Sequence, residues 1–269
     1  MRLIRVFPRR TNATPTDELT YVGKPDLFAE ADEVHVSVAF SWDVPEAERL
    51  AQLWETVAPV KIGGPATGMA GGEFTPGVYL KPGYVFTSRG CPGRCWYCDV
   101  WRREGGIREL PIRDGWNVLD SNLLACSEAH IRAVFAMLAR HKQRPRFTGG
   151  LDAERMQPWI AEELRALHTA GLFLAYDKPE DYEPVTEAAR MLWAAGFTPE
   201  GHRIRCYVLI GYQGDTFDKA EDRLRQILRL GLFPMAMLYR DGRHAPSADW
   251  REFTRQWARP FLIACKEHI

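Results

Sequence analysis

Cys91, Cys95 and Cys98 stand in C-x3-C-x2-C spacing inside the stretch Ser88-Arg89-Gly90-Cys91-Pro92-Gly93-Arg94-Cys95-Trp96-Tyr97-Cys98-Asp99. Thiolates are the ligands of iron–sulfur clusters, and a four-iron cluster held wholly by protein takes four of them. Three crowd together here and no fourth lies nearby, which leaves one metal position free of protein sulfur. An open coordination position is what a reactive site keeps and a structural site closes, as zinc chemistry shows. Zinc ribbons pair a C-x2-C with a second one or with histidines at set spacing, and neither pairing is present. Three cysteines beside glycine, proline and arginine are not a core pattern. A disulfide framework does not suit a chain of this length without a secretory segment.

The loop follows a short apolar strand and is led in by Gly90-Cys91-Pro92, and in this it resembles the radical S-adenosylmethionine (radical SAM) superfamily. The resemblance implies that Cys91, Cys95 and Cys98 ligate a [4Fe-4S] cluster. It implies that S-adenosyl-L-methionine chelates the fourth iron through its amino and carboxylate groups. An electron from the cluster would then release a 5′-deoxyadenosyl radical that abstracts hydrogen from a substrate. An electron donor of the flavodoxin or ferredoxin type is implied with it. The likeness extends to small bacterial and phage members of the superfamily with a truncated cobalamin-binding-like N-terminal domain. By analogy with these, the substrate could be a nucleotide or a nucleic acid base. The competing class is a non-catalytic module in which zinc or an iron–sulfur cluster is structural or regulatory.

The elements that must position the cysteines alternate. Leu3–Val6 and the β-branched run Val34–Phe40 read as strands, with a polar, proline-bearing loop between them. Pro45–Trp54 opens with the Asp-x-Pro-Glu pattern of a helix start and carries Leu50, Leu53, Trp54 and Val57 at helical spacing. Val60–Ile62 then reads as a strand ending in Gly63-Gly64-Pro65. This βαβ unit predicts a parallel pair. It resembles a shortened form of the Rossmann-like domain that precedes the barrel in cobalamin-dependent members. The D-x-H-x-x-G motif that supplies a cobalt-binding histidine is absent, which argues against cobalamin and for a structural cap. Gly68 to Gly77 reads as a linker or a loop over the site.

From Tyr84 the alternation repeats. Strands are expected at Tyr84–Thr87, Asn117–Leu119, Arg146–Thr148, Leu172–Tyr176, Arg205–Ile210 and Met235–Tyr239. Helices are expected at His130–Ala139, Glu154–Ala170, Glu183–Ala195, Thr216–Leu230 and Trp250–Lys266. Such a run implies a parallel sheet with helices outside it. Six strands are too few for the closed eight-stranded barrel. The predicted fold is therefore α/β: an open six-stranded (β/α)6 partial TIM barrel over residues 82–269, preceded by a truncated Rossmann-like unit and linker over residues 1–81.

Ligands of parallel α/β folds sit at the carboxyl ends of strands, so those ends are where partners of the cysteine loop belong. After the second barrel strand come Asp120 and Asn122, a carboxylate and an amide that suit the ammonium of S-adenosylmethionine; the alternative is an Asx turn. Gly149-Gly150 allows close approach of backbone to a ligand or makes an ordinary turn, with Asp152 capping the next helix. Asp177 is placed to accept from ribose hydroxyls, and Lys178 to pair with a carboxylate. Val208, Ile210 and Gly211 resemble the superfamily's G-x-I-x-G-x-x-E region, which implies a place beside adenine; a plain core strand explains them as well. Tyr97 sits where members of the superfamily carry an adenine-stacking aromatic. Arg89, Arg102, Arg103 and Arg108 suit an anionic substrate, but a solvated face or ion pairs with Glu104 and Glu109 is the simpler reading. No residue is singled out as catalytic.

The whole chain sets the bounds. At 269 residues it can bury a large core, and 46% hydrophobic and 26% charged residues are ordinary for a globular protein. Lys plus Arg number 35 and Asp plus Glu 35, which argues against a globally basic nucleic-acid binder. The basic N-terminus has no sustained apolar segment and no run approaches transmembrane length, so a cytoplasmic protein without a membrane partner is expected. Cys126, Cys206 and Cys265 are scattered and read as small core residues.

Overall fold

The computed structural model describes residues 1–68, 74–240, 245–258 and 263. Two parallel sheets, each with its own apolar core, follow one another along the chain.

The first sheet contains β1 (Leu3–Phe7), β2 (Thr20–Val22), β3 (Glu33–Ser37) and β4 (Val60–Gly63) in the order β2-β1-β3-β4, all parallel. Its helix α1 (Val44–Trp54) starts with Pro45 in the first turn, where a missing N–H costs nothing, and buries Ala47, Leu50, Ala51 and Trp54. These meet Ile4, Val6, Val34 and Val36, the alternate residues that β1 and β3 turn to one face. Leu53, which falls at helical spacing with this set, is instead 38% exposed. The expected parallel pair β3–β4 is present. The expected loop between the first two predicted strands is instead a loop with the short edge strand β2 within it. Too short to show an alternating pattern, β2 is held by Arg5↔Thr20 to Phe7↔Val22 pairing. The predicted strand through Phe40 stops at Ser37, and a single helical turn, Ser41–Asp43, leads into α1.

The second sheet has six strands, all parallel and in chain order. It begins at β5 (Tyr84–Val85), and the chain leaves it for an antiparallel pair, β6 (Ser88–Arg89) and β7 (Arg108–Glu109), with α2 (Val100–Arg103) between them. It continues through β8 (Asn117–Val118), α3 (Glu128–Ala139), β9 (Arg146–Phe147), α4 (Pro158–Ala166), β10 (Gly171–Tyr176), α5 (Tyr182–Ala194), β11 (Ile204–Ile210), α6 (Phe217–Arg229), β12 (Phe233–Leu238) and α7 (Ala248–Gln256). Ser127, Thr216 and Ser247 accept from the N–H of the third residue of α3, α6 and α7 as side-chain caps. Just past the end of α5, Gly196 has φ +93°, and the Gly196 and Phe197 N–H groups close on the Trp193 and Leu192 carbonyls.

One predicted helix is two pieces. Over Glu154–Ala170 the chain makes one turn at Ala153–Arg155, extends through Met156 and Gln157, and starts α4 at Pro158. Proline drives the residue before it out of the helical region, and this breaks the continuous apolar pattern. The predicted extension of the last helix to Lys266, and Cys265 with it, lie outside the described residues.

Face parity in β10 to β12 decides which side chains can meet a ligand. Leu172, Leu174, Tyr176, Cys206, Val208 and Ile210 pack under the helices with Val185, Leu192 and Leu224. Their neighbours in the strands, Phe173 and Tyr207, stack on the opposite face with ring centroids 4.8 Å apart. Asp177 extends that second face at the carboxyl end. No helix among the described residues is long and apolar enough to cross a membrane.

Candidate metal centre

The cysteine loop leaves the carboxyl end of β5 and returns through β7, so its two ends are tied. Ser88↔Glu109 and Arg89↔Arg108 pair across it. At the neck the Cys91 N–H donates to the Gly105 carbonyl at 3.1 Å, and the Gly90 N–H donates to Glu104 Oε2 at 3.0 Å. Gly90 has φ +84°, and a Cβ there would lie 2.2 Å from the Gly106 carbonyl oxygen. Only glycine closes this neck.

Inside the loop all three thiols are free and half-buried. A Cβ on Gly93 would stand 3.4 Å from Cys91 Sγ and 3.7 Å from Cys95 Sγ, so glycine keeps the space between two sulfurs clear. The Gly93 N–H points at Cys91 Sγ from 3.4 Å. Burial pushes the Cys98 thiol up, and its two neighbouring cysteines add to this against the Val100 N–H. Bringing three thiolates together is electrostatically unfavourable without a cation among them. Among the described residues no three His, Cys, Asp or Glu side chains converge as ligands of a single ion would. A cluster distributes its thiolates over separate irons and does not require such convergence.

The candidate partners fall into three groups. Asn122 is beside the loop: its Nδ2 donates to Asp152 Oδ2 at 2.9 Å and lies 3.4 Å from Cys91 Sγ. Its Oδ1 is buried and has no donor among the described residues. A buried acceptor without a partner is costly and asks for a donor such as an ammonium. Asp152 also caps the turn that follows, accepting from the Glu154 N–H at 3.2 Å.

Tyr97 and Asp177 are brought together across the mouth of the sheet. Burial pushes the Asp177 carboxyl up to about 6, while the Tyr97 hydroxyl and the Leu209 backbone pull it back down. Burial and the same carboxylate push the Tyr97 phenol up. Trp96, 52% exposed, packs edge-on against Tyr97, Tyr212 and Tyr239 with centroids 5.3–5.5 Å away, binding the loop to the ends of β11 and β12. Lys178, for its part, faces Asp181 at 3.6 Å.

Asp120, Val208, Ile210 and Gly211 depart from their expected roles. Asp120 is 1% exposed, and its carboxylate accepts from the Thr87 N–H at 2.6 Å, the Thr87 hydroxyl at 2.5 Å and the Ser88 hydroxyl at 2.7 Å. In this arrangement it anchors the strand that leads into Cys91. The Val208 and Ile210 side chains are fully buried on the helix side and cannot flank a nucleotide on the other face. Tyr207 and Leu209 face that way in their place, because strand residues alternate. Gly211 gives its N–H to Asp215 Oδ2 at 2.8 Å. A Cβ on it would meet Leu238 at 2.6 Å, so tight packing explains the glycine. Gly149 is likewise packed on the chain's own backbone, a Cβ standing 2.2 Å from the Asp120 carbonyl.

Of the arginines near the loop, Arg102 pairs with Asp99 at 2.9 Å and Arg103 donates to the Pro65 carbonyl at 2.8 Å, tying the loop to the first sheet. Arg89 is the buried one. Sequence reasoning missed its burial, the aromatic collar around Trp96 and the ion pair of Arg223 with Asp215 at 2.8 Å. The only signal for the collar was the unusual Trp-Tyr pair between two cysteines.

No protein-family model and no curated protein matches the chain. Solved structures do, and the likeness is one of fold. It is similar to the radical SAM methyltransferase TsrM from Kitasatospora setae, solved with cobalamin and a [4Fe-4S] cluster bound. The TM-score is 0.58 at 14% identity, over 88% of this chain and 74% of that one. A looser likeness joins it to coproporphyrinogen III oxidase (HemN) from Escherichia coli, a radical SAM enzyme, with TM-score 0.42 at 15% identity over 56% of this chain and 41% of that one.

Proposed function

We propose that the chain is a radical SAM enzyme, with Cys91, Cys95 and Cys98 as ligands of a [4Fe-4S] cluster. When bound, the cluster supplies the electron that cleaves S-adenosylmethionine to the 5′-deoxyadenosyl radical used for hydrogen abstraction. The observation that carries this reading is the orphaned Asn122 Oδ1 beside Cys91, on a three-thiol loop at the carboxyl edge of a parallel sheet. It matches the place where ligands of such sheets bind.

The chain's own residues do the rest. Asn122 Oδ1 accepts from the substrate ammonium, oriented by the bond from its Nδ2 to Asp152. Asp177, on the free face, accepts from ribose hydroxyls, and Tyr97 offers its ring to adenine. The backbone at the end of β11, with Leu209 rather than Val208 or Ile210, forms the neighbouring wall. Asp120 holds the β5 end, and through Ser88 the start of the loop, in place. We read the six-stranded sheet, roughly residues 82–269, as a partial barrel and residues 1–81 as its cap. An electron donor of the flavodoxin or ferredoxin type and a cytoplasmic, reducing location go with this chemistry.

Cobalamin stays outside the proposal. His35, the histidine in the wall between the two units, has both ring nitrogens engaged, Nε2 with Glu33 Oε1 at 2.8 Å and Nδ1 with the Tyr79 hydroxyl. The residues there do not offer cobalt a free imidazole.

Anaerobic reconstitution with iron and sulfide tests the function. About four irons per chain, a spectrum that changes with S-adenosylmethionine, and 5′-deoxyadenosine after reduction are expected. Tight zinc with no response to the nucleotide would make the chain a structural module instead.

A further inference from the structure

The carboxyl ends of the first sheet and the start of the second face each other across a cavity of about 520 Å³. This is the size of a pocket for a small organic molecule. Phe7, Phe40, Phe74, Tyr79 and Phe86 contribute to a largely apolar wall, and Gly63-Gly64 forms part of its floor. Gly64 has φ +116°, and a Cβ on it would strike the Val38 carbonyl oxygen at 2.6 Å, so the backbones of the β3 and β4 ends approach closely there.

The charged groups in the wall are paired, and Arg89 is held most loosely. Asp43 is gripped by a two-pronged bond from Arg9, with Nε to Oδ2 at 2.6 Å. Lys61 meets Glu33 Oε1 at 2.5 Å, and His35 is engaged on both nitrogens. Arg89 is different. Its side chain is only 12% exposed and its closest carboxylate oxygen, on Glu104, is 3.6 Å away, too far for a hydrogen bond. Glu104 turns its other oxygen to the Gly90 N–H. The Arg89 guanidinium lies over the Phe86 ring, 3.6 Å from its centroid, and its buried Nε has no partner among the described residues. Stacking holds the plane of the fork while the Nε donor goes unused. A mostly buried guanidinium whose carboxylate neighbour stands beyond hydrogen-bond reach carries a standing cost that an oxyanion would reduce.

We propose that this cavity binds a small, largely apolar, ring-bearing molecule with one oxyanionic group, held by Arg89. Resting on the radical SAM reading above, this is the substrate class of the reaction. The barrel-side wall, Phe86, Arg89 and Leu119, is formed by the residues that run into Cys91 and Asp120, which sets the bound molecule next to the cysteine loop.

Anilinonaphthalene sulfonate carries this chemistry, an aromatic body with one anionic group, and fluoresces when shielded from water. Titrated into the intact protein, it is expected to saturate at one site and to bind about tenfold or more tighter than neutral phenylnaphthylamine. Arg89→Gln should weaken the sulfonate by roughly tenfold to a hundredfold and leave the neutral dye within about twofold. Ser37→Trp, on the cap side and far from the cysteines in sequence, should fill the cavity and remove both dyes. If Arg89→Gln does not fold, judged by its melting transition, the preference of the wild type for the sulfonate and the Ser37→Trp result decide. Displacement of the dye by benzoate or by phenyl phosphate tells a carboxylate from a phosphate. No saturable site in the wild type, equal affinity for the two dyes, or unchanged binding in Ser37→Trp would overturn the proposal. Iron content and 5′-deoxyadenosine are read on the same wild-type preparation. Dye binding without a cluster keeps the site and removes the radical reading; a cluster without dye binding does the reverse.

Discussion

Replacing Asp120 with alanine separates an anchoring role from a cofactor-binding one. Its carboxylate accepts three hydrogen bonds at 2.5–2.7 Å and is 1% exposed. Truncation leaves the Thr87 N–H without an acceptor in a place water does not reach, because Thr87 and Ser88 are both fully buried. An unmet buried donor costs about 1–3 kcal/mol, and breaking a buried charged network on one side costs about 3–5 kcal/mol. Burial opposes the charged form of Asp120 itself and offsets part of the gain. A net loss of about 3 kcal/mol follows. With a urea dependence of about 1–3 kcal/mol per molar, the midpoint should fall by roughly 1–3 M. Asp120→Asn keeps one acceptor and should lose about half as much. The measurement is urea unfolding of the cluster-free chain under reductant, with S-adenosylmethionine affinity of the reconstituted protein alongside. An unchanged midpoint with a large loss of nucleotide affinity would refute the anchoring account and return Asp120 to the ammonium site.

Asn122→Leu removes the orphaned acceptor at nearly constant volume, so S-adenosylmethionine affinity should drop by roughly tenfold or more while iron content holds; equal loss of iron would make Asn122 a support of the loop. Gly90→Ala forces a side chain into a left-handed backbone against the Gly106 carbonyl, and should destabilise the chain by about 2 kcal/mol or more and prevent cluster assembly; an unchanged melting temperature and iron content would show that the neck can open. Asp177 titrates at about 6 when folded, above the roughly 3.9 of an unfolded carboxyl. Its contribution is therefore fully present below about pH 4 and is lost as pH rises through about 6, up to about 3 kcal/mol. Asp177→Asn should gain stability over the wild type at pH 8 and not at pH 4, read from urea midpoints; the same difference at both would discard the burial explanation.

The cysteine triplet, the strand–helix alternation and the parallel order of the second sheet were legible in the chain because they are local. Spacing in a loop, a 3.6 or 2.0 period and a Ser or Thr cap each depend on residues a few positions apart. The break before α4 was missed in the expected Glu154–Ala170 helix, although Pro158 is a local signal for it. The β2 strand was not legible, since three edge residues carry no period and only pairing with β1 makes them a strand. Asp120 looked like a free acceptor because its partners stand 32 and 33 positions upstream, and only the folded chain brings Thr87 and Ser88 to it. Val208 and Ile210 had the right types at the right strand end, but which face they occupy follows from the pairing of Ala175 with Tyr207 and Tyr176 with Val208. Arg89 was one of several basic residues near the loop. Its burial comes with Phe86 under its guanidinium and Glu104 beside it, contacts that exist only once the chain has folded. Residue types and spacing determined which chemistry the chain can host; tertiary packing decided which of its polar groups were left free to perform it.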